Sequence, residues 1–402
     1  MRIAQVINWH RHGGGSDFVA RATARLLESD GHLVRMLEHD SQDLSDSFRG
    51  KIVASLRGVY SSRGIHEIRA MLADFRPDIV HVHEVYPHHS PWILLECKRA
   101  GVPIVMTCHD FRLTCPVATH LSQGLECTRC ARGATHWCAL NNCRGNVAES
   151  IAYAVRGAIA HTFSLFRENV SVFITPSAML RDHMVRLGGF DANQFVVVPN
   201  MVDTVEEPCD PGTGSYVAYA GRVAPEKGVD TLLEAAAICG LPLHVAGAHG
   251  PGGLNTHGAN VIWRGVLGSA SLAAFYRGAR FVVTPSRWRE AFGLVAAEAM
   301  MHGLPVVASR MGALPELVED GQTGLLFETG DANALAESMA SLWHDTERCR
   351  RMGRAARAKA LKAYTSAKYY KNLLRVYEHA IALESGGGEA SPITHIDRLE
   401  AH

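Results

Sequence analysis

The sequence predicts two α/β domains, each a doubly wound parallel sheet, and three observations lead there. The chain has 402 residues, more than one hydrophobic core usually holds, so two domains of similar size are expected. Short apolar runs lead into glycine turns and then amphipathic stretches in both halves, first at 3–7 before His12-Gly13-Gly14-Gly15-Ser16 and again at 216–220 before Gly221-Arg222. That is the repeating unit of a parallel sheet with helices on both faces. Between them 206–215 is rich in Pro, Gly and Asp and reads as a linker.

Composition narrows the function. Hydrophobic residues make up 47% and charged residues 20%, as in an ordinary globular protein. Lys plus Arg equals Asp plus Glu, 40 each, so no net field draws nucleic acid, and none is expected as a partner. The first residues read as a strand rather than as a cationic, apolar and cleavable leader. No apolar run has the length of a membrane span. The expectation is a cytoplasmic protein that a lipid-linked acceptor can bring to the inner face of a membrane.

The first domain is expected over 1–205. After the strand at 3–7, Ser16 can cap a helix over 17–28. Gly14 and Gly15 let backbone approach a ligand, and the free N–H groups of the helix start suit an anion; a tight turn without a ligand is the alternative. Gly-x-Gly-x-x-Gly is absent, so NAD is not indicated. A strand at 32–37, a loop and surface helix at 40–57 and a helix at 64–75 follow. The strand at 77–83 enters a loop with His81, His83, His88 and His89, whose mixed strand and loop setting does not fix four metal ligands. A helix over 91–99 and a strand over 103–109 put His109 at a carboxyl strand end, where open α/β sheets bind ligands. The alternative is a histidine that holds the loop through backbone hydrogen bonds.

After His109 the alternation stops. The insert 111–145 has no helix or strand period, yet it holds Cys115, Cys127, Cys130, Cys138 and Cys143, half of the ten cysteines. In a chain of cytoplasmic type such a cluster points to a metal or to reduced thiols before disulfides. Cys127 and Cys130 can reach one ion from a single tight loop, and zinc with four sulfur ligands can fix a segment that has little apolar core. Cys127, Cys130, Cys138 and Cys143 form the compact quartet, and Cys115 can replace one of them. An iron–sulfur cluster fits the same spacing. Next come a long helix over 146–166 that exposes Arg156, His161 and Arg167, and strands at 170–175 and 195–200.

The second domain is expected over 216–365. Gly221-Arg222 turns from the first strand toward a helix over 227–239. Arg222 offers paired donors and Lys227 a compact charge, a set that can straddle a diphosphate and stabilise it as a leaving group; surface pairing near Glu226 is the alternative. A strand at 243–246 gives way to a glycine-rich loop at 247–258, expected around a nucleotide, followed by a strand at 261–264 and a helix at 269–278. The apolar strand 281–284 then enters the segment 285–298. Glu290 stands in its loop, and Glu298 follows eight residues on, inside a helix that starts near Gly293. At 3.6 residues per turn both acids can face one crevice at the strand end, which suits a ligand rich in hydroxyl groups. The backbone N–H groups of Phe292, Gly293 and Leu294 can face sugar or phosphate oxygens. Elements at 305–309, 315–319, 324–327 and 332–343 complete the sheet. The helix 348–362 carries seven Arg or Lys residues, read as a solvated face. A helix over 366–385 is expected to cross back to the first domain, and 386–402 to be a disordered tail.

Glu290-x7-Glu298, taken with Gly221-Arg222, Glu226-Lys227-Gly228, Gly312-Ala313 and the run 319–327 in that order, resembles the motif set of the retaining glycosyltransferases of family 4. The insert after His109-Asp110-Phe111 resembles that of a Cys-rich subset. The resemblance covers the whole C-terminal half. It implies the GT-B fold, two Rossmann-like domains facing each other across a cleft. It also implies a nucleotide diphosphate sugar as donor, no catalytic cofactor, and transfer to an acceptor hydroxyl with retention. In that scheme Arg222 and Lys227 hold the diphosphate, in place of a divalent ion. Glu290 holds the donor sugar, and Glu298 the ribose or a neighbouring Arg or Lys. His109 contacts the donor sugar near the reaction centre, while Gly14 and Gly15 lie near phosphates and acceptor. Carbohydrates, lipid-linked sugars and small molecules all fit as acceptors, which points to polysaccharide, glycolipid or natural-product synthesis. An inverting transferase, a nucleotide-sugar epimerase of the same shape and a nucleotide-sugar-binding protein without turnover are the alternatives.

Overall fold

The structure, a computed structural model, describes residues 1–9, 14–40, 48–248 and 260–386, with backbone alone for 48–53. Contacts divide the chain into two units, Met1–Pro199 with Tyr369–His402, and Asn200–Lys368. The expectations for His12 and Gly13, for most of the loop 247–258 and for the tail beyond residue 386 lie outside the described residues.

The first unit holds β1 (Arg2–Trp9), β2 (Leu33–Asp40), β3 (Ile79–Val82), β4 (Ile104–Thr107), the short β5 (Leu121–Ser122) and β6 (Leu125–Glu126), β7 (Val172–Thr175) and β8 (Phe195–Val197). Six of them form one parallel sheet in the order β2-β1-β3-β4-β7-β8. Strands β3, β4 and β7 are buried on both faces, which is why β4 and β7 are unbroken apolar or β-branched runs and β3 is broken only by the buried His81. Helices α1 (Gly15–Ser29), α2 (Phe48–Val59), α3 (Ser62–Asp74), α4 (Trp92–Arg99), α5 (His136–Leu140), α6 (Val147–Thr162) and α7 (Ala178–His183) make the connections.

Two local expectations change. Helix α1 begins ahead of Ser16: Gly14, in extended backbone, stands at its N-cap without a side-chain cap, and Ser16 lies inside the first turn. Arg156 is buried, not exposed. Its guanidinium lies over the rings of Tyr86 (4.2 Å) and Tyr153 (3.8 Å) and donates to the Pro116 carbonyl at 3.0 Å, so it fastens α6 to the insert. A charge of this kind survives burial because aromatic faces and a carbonyl replace its water.

The second unit holds β9 (Tyr216–Ala220), β10 (Leu243–Ala246), β11 (Val261–Gly265), β12 (Ala279–Thr284), β13 (Val306–Ser309) and β14 (Gly324–Phe327), all parallel, in the order β11-β10-β9-β12-β13-β14. Helices α8 (Val229–Cys239), α9 (Ser269–Arg277), α10 (Leu294–Met301), α11 (Leu314–Leu317), α12 (Ala332–His344) and α13 (Thr346–Ala363) cover it. Val217, Val245, Phe281, Val283 and Val307 of the sheet pack with Leu232, Leu335 and Met339 of the helices. The stretch 206–215 is fastened to this unit: the Cys209 N–H donates to the His302 carbonyl at 2.7 Å, and Arg350 pairs with Asp210 at 2.9 Å. Strand order reverses between β9 and β12, which leaves a crevice outside their carboxyl ends.

The last helix, α14 (Ser366–Glu384), rejoins the first unit from Tyr369 onward. The Tyr377 hydroxyl lies 2.7 Å from His81 Nδ1 on β3, and the Tyr369 hydroxyl 2.9 Å from Thr23 Oγ1 on α1. The other ring nitrogen of His81 meets Thr107 Oγ1 at 2.8 Å, so this buried histidine is fully satisfied. Replacing Tyr377 by Phe strands one of these nitrogens in the core, at a cost of about 1–3 kcal/mol. The expected result is a lower first transition in thermal unfolding of the full chain; an unchanged melting curve contradicts this role for the helix.

Candidate active site

Two loops interlock at the carboxyl ends of β9 and β12. The first runs from Gly221 to Gly228, the second from Pro285 to Gly293. The N–H groups of Arg287 and Trp288 both donate to the Glu226 carbonyl, at 2.9 and 3.2 Å. Gly228 has a φ of +69°, and a Cβ there would lie 1.9 Å from the Pro285 carbonyl oxygen, so backbone meets backbone at a distance that only glycine permits. Gly312 does the same from the far side. Its Cβ would lie 2.4 Å from the Glu290 nitrogen, and the Ala313 N–H donates to the Glu290 carbonyl at 2.9 Å. The Gly312-Ala313 pair thus sets the backbone of Glu290.

The side chain of Glu290 is fixed just as closely. Its Oε1 accepts from Lys227 Nζ at 2.6 Å, Ser286 Oγ at 2.6 Å and Trp288 Nε1 at 3.0 Å, which leaves Oε2 without a bond among the described residues. Lys227 Nζ also lies 4.7 Å from the Trp288 ring centroid. Burial pushes the Glu290 carboxyl upward, but the Lys227 ammonium and the three donors outweigh it and hold the group below the ordinary glutamate value. Arg222 stands half-exposed and pairs with Glu226 at 2.5 Å. Both cations of the predicted diphosphate site are therefore present, each held by a carboxylate.

Glu298 sits apart from that network. Its Oε2 accepts from the Tyr276 hydroxyl at 3.2 Å, so among the described residues its partner is a phenol and not the Arg or Lys considered from sequence. Burial pushes its carboxyl up to about 7, Tyr276 opposes the shift, and Asp203 adds to it. Phe292 is buried against Tyr364, and Gly293 stands at the N-cap of α10 with Leu294 as the first helical residue. Ser286 and Tyr276 are not singled out from sequence, and Trp288 reads there only as a loop residue facing the acceptor or packing the domain edge. Ser286 and Trp288 flank Glu290 in one loop and carry donors, which is a usable clue; Tyr276 reaches Glu298 from another helix and leaves none.

In the first unit a pocket outside β3 and β4 is lined by His83, Glu84, Tyr86, His109, Asp110 and Arg112, among others. His109 Nε2 lies 3.0 Å from His83 Nδ1, with the rings stacked. Burial drives His81 down to about 3 and His83 well below its ordinary value, so both are neutral at pH 7. Arg112 lies between Glu84 (2.7 Å) and Asp110 (3.0 Å). Gly14 stands at the N-cap of α1 and Gly15 is its first residue. Among the described residues His39, Glu67 and His89 bring ligand atoms within 4.8 Å of one another, a closeness already explained in part by the 2.8 Å bond between His39 and Glu67. Of the four loop and strand histidines noted from sequence, His89 belongs to this group.

The insert folds into the β5–β6 hairpin, a single turn and α5. Cys115, Cys127, Cys130, Cys138 and Cys143 all line one small pocket there, and all are free thiols.

Comparison with known proteins matches residues 13–206 to the family described as Glycosyltransferase Family 4 and residues 206–359 to Glycosyl transferases group 1. D-inositol 3-phosphate glycosyltransferase of Corynebacterium glutamicum is 36% identical over 191 residues, 43% of this chain and 45% of that protein. The chain spans about half the length of the curated relatives it matches. Among solved structures, sucrose-phosphate synthase from Thermosynechococcus elongatus aligns with a TM-score of 0.72 at 18% identity, over 95% of this chain and 100% of that one. Anabaena HepE in complex with UDP-glucose aligns with a TM-score of 0.65 at 18% identity, over 94% and 99%. At these identities the structural likeness establishes the fold, which is GT-B with two parallel-sheet Rossmann-like domains.

The two acids give stability opposite pH dependences. The folded value of Glu298, about 7, lies above the ordinary 4.5, so its contribution is full below about pH 4.5 and is lost as pH rises through 7. That of Glu290 lies below 4.5, so its contribution is present above 4.5 and is lost as pH falls through the folded value. Urea unfolding of the full chain at stepped pH is expected to show a Glu298→Gln variant losing less stability between pH 4.5 and 7 than the parent. Identical pH slopes contradict the assignment.

Proposed function

We propose that this chain, which belongs to the family 4 glycosyltransferases, moves a sugar from a nucleoside diphosphate donor to an acceptor hydroxyl with retention of anomeric configuration. The observation that carries this reading is the interlocked loop pair at the strand-order reversal of the second unit, with Arg222, Lys227 and Glu290 on it. Arg222 and Lys227 bind the diphosphate. As the bond from the anomeric carbon to the diphosphate oxygen breaks, they offset the charge gained by the leaving group. The acceptor oxygen bonds the anomeric carbon from the same face, and its proton passes to the departing phosphate oxygen. Glu290, relieved of Lys227 by the diphosphate, turns its carboxylate to the sugar hydroxyls. Glu298, which sits near its midpoint at pH 7, meets the ribose. The N–H groups at Phe292, Gly293 and Leu294 add donors at the start of α10.

On the first unit, the pocket with His109 and Arg112 offers hydroxyl-rich reactants a hydrogen-bonding wall. The acceptor is a carbohydrate, a lipid-linked sugar or a small molecule, and the product a polysaccharide, glycolipid or natural-product glycoside. The reaction is placed in the cytoplasm, at the inner membrane face for a lipid-linked acceptor. Among the described residues no helix is long and apolar enough to cross a membrane.

Calorimetry of the full chain with UDP, GDP and ADP sugars tests the donor reading. One base class is expected to bind, and Lys227→Ala to weaken that binding about 10- to 100-fold by removing a charge-assisted contact. Glu290→Gln is expected to retain most affinity for the free nucleoside diphosphate while losing turnover. A folded chain that binds no nucleotide sugar, or binds it equally well without Lys227, overturns the assignment. Proton NMR of the first-formed product separates retention from inversion.

A further inference from the structure

The donor reading leaves the five thiols of the insert without a task, and their surroundings do not depend on it. We propose that the insert is a structural zinc site in which Cys115, Cys130, Cys138 and Cys143 bind one Zn²⁺ and Cys127 stands at the rim.

Three features of the fold support this. The insert has almost no core of its own: its strands are two residues long, α5 has five residues, and its apolar cluster consists of Cys130, Cys138 and Ala154 with a few partly buried neighbours. A segment so poor in apolar contacts needs another source of order, and zinc coordination supplies one. The thiols of all five cysteines border one small pocket. Cys130 faces Cys115, Cys143 and Cys127, and Cys138 faces Cys143, Cys130 and Cys115. Cys115, Cys130 and Cys138 are buried, while Cys127 and Cys143 are both partly exposed.

The third feature is specific to Cys115. The backbone N–H groups of Val117, Ala118, Thr119 and His120 face its sulfur. These N–H groups favour a thiolate, although burial outweighs them and pushes the free Cys115 thiol upward; a bound cation would offset that burial. This draws Cys115 into the ligand set ahead of Cys127, which the spacing of the sequence alone favours. Charge agrees. Binding forms four Zn–S bonds and releases four protons to solvent, so the site becomes a dianion. Within the insert Arg129 and Arg132 oppose that charge, whereas Arg112 already pairs with Glu84 and Asp110 and Arg144 with Glu149. The thiols surround their pocket without three of them lying within 4.8 Å of one another; the ion draws them to about 3.8 Å, as Zn–S bonds of about 2.3 Å in a tetrahedron require.

Elemental analysis of the full chain, purified from zinc-containing medium without chelator, is expected to give one zinc per chain. Cys115→Ser and Cys138→Ser are expected to reduce this at least fivefold, while Cys127→Ser and Cys349→Ser keep it. Because a ligand variant can misfold, the parent chain is also exchanged into cobalt, which should give the absorption bands of tetrahedral thiolate coordination. Metal-free parent protein, bound iron with acid-labile sulfide, or fewer than ten free thiols after denaturation without reductant would overturn the proposal. Zinc lost with Cys127→Ser but retained with Cys115→Ser overturns the ligand assignment.

Discussion

The contact between Lys227 and Glu290 is the constraint on which the second unit's chemistry depends. A carboxylate in that position is partly withdrawn from water, which pushes it upward, and the ammonium 2.6 Å away is the largest influence holding it down. With it, two loops that belong to different strands become one rigid surface, supported by the Glu226 carbonyl below and the Gly312-Ala313 turn beside it. A buried pair adds little net stability, because desolvation cancels most of the attraction. Its value here is positional. The ammonium and the carboxylate are delivered together to the crevice where the strand order reverses, and in the proposed reaction the donor's diphosphate would separate them.

The first unit uses the same sheet with a different kind of site. Its carboxyl strand ends carry a chain of imidazoles beside an arginine–carboxylate cluster. His81 is closed off by Tyr377 and Thr107, His83 bridges to His109, and Arg112 holds two carboxylates beside them. Because burial keeps His81 and His83 neutral, this surface presents hydrogen bonds more than charge. The last helix matters to it directly, since Tyr377 supplies a partner that nothing in the sheet provides. The insert borders the same region: Cys115 and Cys130 share a larger pocket with Tyr86, Arg112 and Phe166, so whatever orders the thiols also orders that wall.

Much of this was legible in the sequence because it is written in local patterns. The parallel strands appear as unbroken apolar runs, and the loops with Arg222, Lys227 and Glu290 sit where glycines and helix starts follow those runs. What escaped is nonlocal. Arg156 reads as a surface charge on an amphipathic helix, and only the fold brings Tyr86 and Tyr153 to its faces. Glu298 looks like a partner for a cation, yet the group within reach is the Tyr276 hydroxyl. Ser16 looks like a helix cap, but the helix starts at Gly15 and leaves it inside.

The account stands or falls on whether the loops 221–228 and 285–298 together hold the donor. Hydrogen–deuterium exchange of the full chain, with and without a saturating nucleotide sugar, reads this directly, since amides that bind phosphate or carry the interlocked backbone slow when the site is filled. Slowed exchange concentrated in these two segments is the result the account predicts. Slowing confined to the first unit, with both segments unchanged under proven saturation, would contradict it.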